Sequence, residues 1–462
     1  MMRTRLDRVA WAAIACLLMA LAIIMARGDQ LGAQVISATP ASGSSDVSAR
    51  PALSFTFSEA MNPAEIESRL RIEPPLSATL RAVGRAVFVD LAAPLLPNTQ
   101  YTVTLKAGAK SQRGRVQLRD FSLAFRTRSP QVLYLAPASG TPNLFAANPD
   151  GSSIRQLTSE AFGVFDFAIS PDGNKIAYSV TRNADGIRDI WLMNTAGGGR
   201  QRIVTCDDQA CQYPTWSADG SRMAFERRSM ITGTVGRTPG AARIWQYDVN
   251  TKELAPLSGD SQQLGALPRF APAGNALAFY DSVASVIVIV DTQTGAQQTL
   301  PSLLGDTGEW SPDGAQLIFP DLISGEMGDY SQLFRADLAR GVITPFITLS
   351  TSADISASWS PLGNAVAFSR QDRAAPVPAG SFGPIGPQIW VAQADGTRAR
   401  QITREAEFSF GGLAWSPDGQ WIAAVRINLL TPDARPEVWL AKADGSAQRR
   451  IAQDATLPAW LP

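Results

Sequence analysis

The chain of 462 residues contains no histidine. That removes the commonest general base and the commonest zinc ligand together. Ser-His-Asp and Cys-His nucleophilic catalysis are excluded with it. Charge is also scarce: 18% of residues are charged, and Lys+Arg and Asp+Glu number 41 each, so the net charge is zero. A nucleic-acid surface needs a basic excess or stripe, so no nucleic-acid partner is expected. No Gly-rich phosphate loop or Asp/Asn calcium loop occurs, and no cofactor or metal site is expected. Cysteine is limited to Cys16, Cys206 and Cys211. The last two sit in the polar stretch CDDQAC, which reads as a local disulfide in an exported chain and as two thiols in the cytosol. Two thiols without further Cys or His cannot close a tetrahedral metal shell. What the chain has is 45% hydrophobic residues, enough for a real core, and a length suited to two or three domains.

Residues 9–26 form an uncharged apolar run, preceded by a basic segment, residues 1–8, with Arg3, Arg5 and Arg8. As a helix, 18 residues span about 27 Å, close to a bilayer core. The arginines are expected to hold residues 1–8 in the cytoplasm and to place the rest of the chain outside. A cleaved signal peptide has a shorter core and a small-residue site, and a lipoprotein signal at Cys16 would end the run near that cysteine. The run continues for ten residues beyond it, so an uncleaved transmembrane signal anchor fits best. The expected location is the cell membrane, single-pass, with the bulk of the chain extracytoplasmic.

Residues 36–128 alternate apolar and polar in short runs. Leu53, Phe55 and Phe57 form one face, as do Val87 and Val89, then Tyr101, Val103 and Leu105, then Leu123 and Phe125. Half-buried strands require this period of two, and the set predicts a β-sandwich. The segments Pro40-Ala41-Ser42-Gly43, Phe57-Ser58-Glu59-Ala60-Met61-Asn62, Leu96-Pro97-Asn98-Thr99-Gln100-Tyr101 and Phe125-Arg126-Thr127 resemble the bacterial Ig-like domain of S-layer and other envelope proteins. The resemblance implies a spacer or adhesion module without catalysis.

From residue 131 to 462 a repeat takes over. Its turns read Ser170-Pro171-Asp172-Gly173, Ser311-Pro312-Asp313-Gly314 and Ser416-Pro417-Asp418-Gly419, with looser copies from Ser217, Ala271 and Ser360 and a truncated one at Ala459-Trp460-Leu461-Pro462. The spacing is about 49 residues, near the period of propeller blades. Each unit reads strand, SPDG turn, strand, loop, strand, tight turn, strand. The chain enters mid-unit, with second, third and fourth strands from Val132, Asn143 and Ile154, and Leu457–Trp460 supplies the missing first strand. The expected fold is all-β: an N-terminal transmembrane helix, an Ig-like β-sandwich, then a seven-bladed β-propeller closed by the C-terminal strand, with six blades as the alternative.

Nine of the eleven tryptophans occupy two repeat positions. One, just before the turn, holds Ile169, Trp216, Phe270, Trp310, Trp359, Trp415 and Trp460. The other, in the third strand, holds Phe145, Trp191, Trp245, Val288, Phe334, Trp390 and Trp439. Recurrence in every unit argues for packing between blades. In the turns, Pro presets φ, Asp bonds local backbone and Gly takes positive φ, so these Asp residues are structural. Trp415–Gly419 followed by Ile422-Ala423-Ala424, and Asp395-Gly396 followed by Gln401-Ile402-Thr403, resemble the WD40-like (PD40) repeat of the TolB-type propeller.

In a four-stranded meander the second-to-third loops and the links between units lie at one end. Here that end carries the longest stretches, 226–243, 320–331, 369–388 and 425–437, together with the Cys206–Cys211 link and the Phe408–Phe410 link. Long loops on a rigid scaffold are where recognition resides. The candidate binding face is therefore Arg227, Arg228, Arg237, Tyr330, Arg370, Arg373, Phe382, Phe408, Phe410 and Arg435, with Asp321 and Glu326 nearby. The expected function is a membrane-anchored binding or scaffold protein of the bacterial cell envelope, recognising an envelope protein, peptide or glycan and not acting as an enzyme. A carboxylate-dependent glycan-active enzyme and a passive cell-surface structural protein are the alternatives.

Overall fold

The computed structural model describes residues 11, 13–22, 32–233, 236–260, 262–325, 328–347, 351–374 and 386–462. Residues 13–22 are helical. The remainder of the expected 9–26 anchor lies largely outside the described residues, and among those described no helix is long and apolar enough to cross a membrane. The chain divides into two compact units, the first containing most of residues 1–127 and the second residues 128–462 with two short earlier segments.

The first unit is a sandwich of two antiparallel sheets. One has the order Val35–Thr39, Leu53–Phe57, Ala86–Leu91, Ala78–Val83, and the other Leu70–Glu73, Gln100–Leu105, Phe121–Arg126. The alternation seen in the sequence is the alternation of burial. Leu53, Phe55, Phe57, Val87, Val89, Tyr101, Val103, Leu105, Leu123 and Phe125 are all buried. Each large side chain among them contributes roughly 1.5–3 kcal/mol. Phe55 of one sheet meets Phe121 of the other edge-to-face at 5.9 Å. A one-turn helix, Pro63–Glu67, begins where Asn62 Oδ1 accepts the Ala64 N–H at 3.2 Å, with proline in the first turn, where no N–H partner is needed.

The second unit is a succession of four-stranded antiparallel meanders with first strands at Thr456–Leu461, Val164–Ile169, Ala210–Trp216, Ala266–Phe270, Glu309–Trp310, Ser352–Trp359 and Phe408–Trp415. The meander that opens the unit takes its first strand from the C-terminus: Leu461 pairs with Gln131 and Trp460 with Val132. Apolar cores lie between neighbours all the way round. Leu133 and Leu144 pack with Ile176 and Tyr178, and so on to Val438 and Leu440, which pack with Val132 and Tyr134. The intervening pairs share cores of their own. The ring is thus closed, and the edge strands that would otherwise template aggregation are covered.

The repeat positions have defined roles. Before the turn, Trp216, Trp310, Trp415 and Trp460 each donate Nε1–H to a backbone carbonyl of the preceding first strand: Ala168, Arg269, Ser358 and Ala414, at 2.9–3.2 Å. Within the turns, Asp172 Oδ1 accepts the Asn174 N–H at 3.1 Å, as expected, and Gly173 has φ 66°. The serine shares the work: Ser170 Oγ donates to Asp172 at 2.6 Å and accepts the Lys175 N–H at 2.9 Å. Ser311 and Ser416 repeat both bonds.

Two of the stretches expected as long loops are strands instead. Arg222–Gly233 and Gly236–Asp248 pair out to Gly233 and Gly236, and Gln316–Gly325 and Gly328–Asp337 pair out to Gly325 and Gly328. Their alternating β-branched and aromatic residues, such as Ile231, Thr238, Ile323 and Tyr330, extend the ladder beyond the meander body. Cys206 and Cys211 form a disulfide, both fully buried.

Candidate functional site

The expected binding-face residues are spread around one end of the ring in separate groups. Arg227 lies over the Trp245 ring at 4.6 Å, and Arg370 and Arg426 lie over Trp390 and Trp439 at 5.2 and 3.5 Å. In each case the arginine follows by two residues the second-strand residue that pairs with the tryptophan: Phe225, Phe368 and Ala424. This is a repeated stack, so Arg227 and Arg370 belong to the scaffold. Arg370 is only 4% exposed and grips the buried Asp354 through two bonds of 2.6 and 2.7 Å. Phe410, 1% exposed, is core. Arg370 and Phe410 are therefore corrected from face to interior, because each lies on a strand whose side chain turns inward. Phe408 is half-buried beneath Arg426, which also bonds Glu405 and Glu437. Arg373 covers the Tyr330 ring at 4.4 Å. Arg435 meets Asp454 at 3.2 Å. Arg237 sits near the tip of its hairpin, opposite Thr232. Phe382 and Glu326 lie outside the described residues.

Of the expected residues, Arg228 lines a cleft of about 610 Å³. This cleft opens between the second, third and fourth meanders of the unit, at the end that carries the hairpins. Its apolar walls include Phe165, Tyr213, Met230, Leu264, Leu267 and Tyr280. Its polar side chains form one chain of bonds. Arg188 stacks on Phe165 at 3.8 Å and donates Nη1–H to Gln212 Oε1 at 2.8 Å. Gln212 Nε2 donates to Glu226 at 2.9 Å, Arg228 Nε donates to the same oxygen at 2.6 Å, and the Leu267 N–H reaches the other at 3.2 Å. Glu226 is fully buried, and both its oxygens are taken.

Backbone strain underlies this wall. Tyr213 and Leu267 hold φ of 54° and 51°, left-handed values that cost a bulky residue roughly 1–2 kcal/mol. Ser356, Gly412 and Leu457 occupy the same place, three residues before the aromatic of the first strand, with φ of 50°, 59° and 50°. A bulge interrupts the pairing there in each of these strands. At Tyr213 and Leu267 the exposed N–H is met by a buried carboxylate from the preceding meander, Asp166 at 2.6 Å and Glu226 at 3.2 Å. Asp166 also accepts the Ser179 hydroxyl. Burial pushes its carboxyl up to about 6 despite those bonds and the nearby Arg188. Burial also lowers the Arg188 guanidinium from its ordinary value.

The sequence reading did not select Asp166, Arg188, Gln212, Tyr213, Glu226 or Tyr280. Asp166 and Tyr213 fall in stretches that read as strands, where side chains are assigned to packing, and Glu226 opens the stretch 226–243 expected as a long loop. One signal was present: polar Asp166, Gln212 and Glu226 stand in otherwise apolar strands. Among the described residues no group of three or more His, Cys, Asp or Glu is placed to hold a metal ion.

Residues 29–127 match the family described as bacterial Ig-like domain. A stretch of 78 residues is 36% identical to dipeptidyl-peptidase 5 of Porphyromonas gingivalis, covering 15% of this chain and 11% of that protein. The chain therefore spans about a tenth of the length of that curated relative. An oligogalacturonate lyase in complex with manganese aligns with a TM-score of 0.51 at 16% identity, over 68% of this chain and 86% of its own. TolB from Acinetobacter baumannii aligns with a TM-score of 0.43 at 16% identity, over 85% of this chain and 83% of its own. At these identities the likeness is one of fold, an Ig-like domain together with a β-propeller.

Proposed function

We propose that the chain is a membrane-tethered, extracytoplasmic recognition protein. Its Ig-like module acts as the spacer. Its propeller, in which each meander is one of seven blades, captures an envelope protein or polymer at the hairpin end. The observation that carries this reading is the cleft of about 610 Å³ at that end, large enough to bury a ligand segment against a pre-formed wall. Val283, Leu303 and Ile231, in the loops and hairpin of the same end, are 78%, 69% and 58% exposed.

A carboxylate-dependent glycan-active enzyme has Asp166 as its natural acid. That carboxylate is buried, with one oxygen held by Ser179 and the other by Tyr213, so it is spent on structure. We propose binding without turnover. The test is capture from solubilised envelope by the full-length chain, compared with variants altered at the cleft mouth, such as Leu304→Glu and Met230→Arg. A partner held by the wild type and lost from both variants is expected. Capture indifferent to both would refute the proposed face, and glycan cleavage by the purified chain would refute the non-catalytic reading.

A further inference from the structure

Resting on the reading of the hairpin end as the binding end, we propose that the cleft beside Arg188 recognises a peptide carboxylate flanked by an apolar side chain. The polar groups of the cleft are divided unequally. Gln212 is used at both ends, its Oε1 by Arg188 and its Nε2 by Glu226. Both oxygens of Glu226 are occupied. The strongest side-chain acceptors in the wall are therefore spent.

Donors are left over. Arg188 uses Nη1, but among the described residues neither its buried Nε nor its Nη2 has an acceptor, and Nη2 is the one open to a ligand. Arg228 commits Nε to Glu226 and Nη1 to the Gly240 carbonyl at 3.1 Å. An unmatched donor on a partly desolvated guanidinium is costly, and a carboxylate satisfies it with a charge-assisted, often bidentate pair.

A sugar would be poorly served. Its hydroxyls need acceptors as well as donors, and among the described lining side chains the acceptors not already bonded are chiefly the hydroxyls of Tyr213, Tyr280 and Ser282. An acidic peptide needs donors for its carboxylate and apolar surface for the neighbouring side chain. Phe165, Met230, Leu264 and Leu304 supply that surface. Arg188 is also held in place, stacked on Phe165 and tethered to Gln212, so little ordering is needed when the ligand arrives.

The experiment titrates the full-length chain with acetyl-Leu-Glu-Phe-amide, its Gln counterpart and trigalacturonate, followed by calorimetry. The Glu peptide is expected to bind at least about tenfold more tightly than the Gln peptide, and to weaken as salt rises. In Arg188→Gln the two peptides are expected to bind alike, at the weaker level, with the far-UV spectrum of the wild type. Leu304→Glu alters a side chain that is 41% exposed at the cleft mouth and leaves the core untouched. It is expected to weaken both peptides through the lost apolar contact, and the Glu peptide more, through like-charge repulsion. The proposal is overturned if the Glu and Gln peptides bind the wild type equally, if folded Arg188→Gln keeps the preference, if trigalacturonate binds in place of the peptides, or if no probe binds at millimolar concentration. If cleft variants abolish partner capture while the two peptides bind alike, this inference fails and the broader functional reading stands.

Discussion

The Asp166 carboxylate accepts the backbone N–H of Tyr213, 47 positions along the chain, at 2.6 Å. The bond joins the first strands of two successive meanders at the point where Tyr213 is forced to φ 54°. An acid buried for this purpose destabilises the fold when ionised, and its protonation shows how much.

The Asp166 carboxyl has an ordinary value of 3.8 and is raised to about 6 in the fold. Well below that ordinary value it is protonated in both the folded and unfolded states, and no penalty exists. As pH rises from about 4 to 6 the unfolded chain releases its proton first, so stability is lost across that window. The loss by pH 7 is roughly 3 kcal/mol for a shift of this size. Asp166→Asn keeps an acceptor for the Tyr213 N–H, and the Ser179 hydroxyl can turn to accept from the new amide. Urea unfolding of both proteins at pH 4 and pH 7 is expected to show the variant gaining on the wild type by about that amount between the two. A gap that stays constant with pH would mean that Asp166 does not carry the strain.

The tryptophans before the turns offer a comparison within one chain. Trp415 donates Nε1–H to the Ser358 carbonyl at 2.9 Å, whereas the buried Nε1 of Trp359 has no partner among the described residues. Both side chains are buried, at 8% and 9% exposure. Trp→Phe removes similar surface from each site, but only at Trp415 does it orphan a carbonyl, at about 1–3 kcal/mol. Trp415→Phe is thus expected to be the more destabilising by about that margin in chemical denaturation. Equal losses would show that the indole hydrogen bond adds nothing to blade packing.

The same repeat explains how much could be read from the sequence. Residues that recur in every unit, such as Trp216, Trp460 and the Ser170–Gly173 turn, were legible because local turn chemistry and a fixed period determine them. The alternating strands of the Ig-like unit were legible for the same reason, each apolar residue of Leu53–Phe57 pointing to one core. The cleft was not. It is assembled from Phe165, Arg188, Gln212, Glu226, Leu267 and Tyr280, residues that belong to three meanders and meet only when the ring forms. The stretch 226–243 reads as a loop because its charged and glycine-rich tip masks a pairing that runs out to Gly233 and Gly236. Arg370 looked like a surface cation because its partner Asp354 lies 16 residues away, on the neighbouring strand.

That pair gives a third expectation. Arg370 and Asp354 are 4% and 2% exposed and are joined by two short bonds. Burial raises the Asp354 carboxyl, and the bonds to Arg370 oppose the rise. Arg370→Met leaves that acid without its partner and is expected to cost about 3–5 kcal/mol. Removing both charges, in Asp354→Leu with Arg370→Met, is expected to recover most of the loss, since the site is lined by Phe368 and Trp390. A double variant no better than the single one would show that the guanidinium matters for its ring contacts and not for the charge it neutralises.

The disulfide bears directly on the cleft. Cys206 and Cys211 are fully buried, and Gln212 and Tyr213 of the cleft wall follow at once. Asp189 accepts the Cys206 N–H at 2.9 Å, and the Cys206 carbonyl accepts the Gln209 N–H at 2.6 Å, so the loop has support of its own. Closing a loop this short restricts the unfolded chain modestly, and the entropic estimate is about 2 kcal/mol. Cys206→Ala with Cys211→Ala is therefore expected to lose about that much stability while keeping the strand content of the wild type. Iodoacetamide added in denaturant without reductant is expected to leave both cysteines unlabelled in the wild type, and to label both after reduction. Labelling before reduction would mean that the chain matures with free thiols, and the extracytoplasmic placement would then lose the support that this pair gives it.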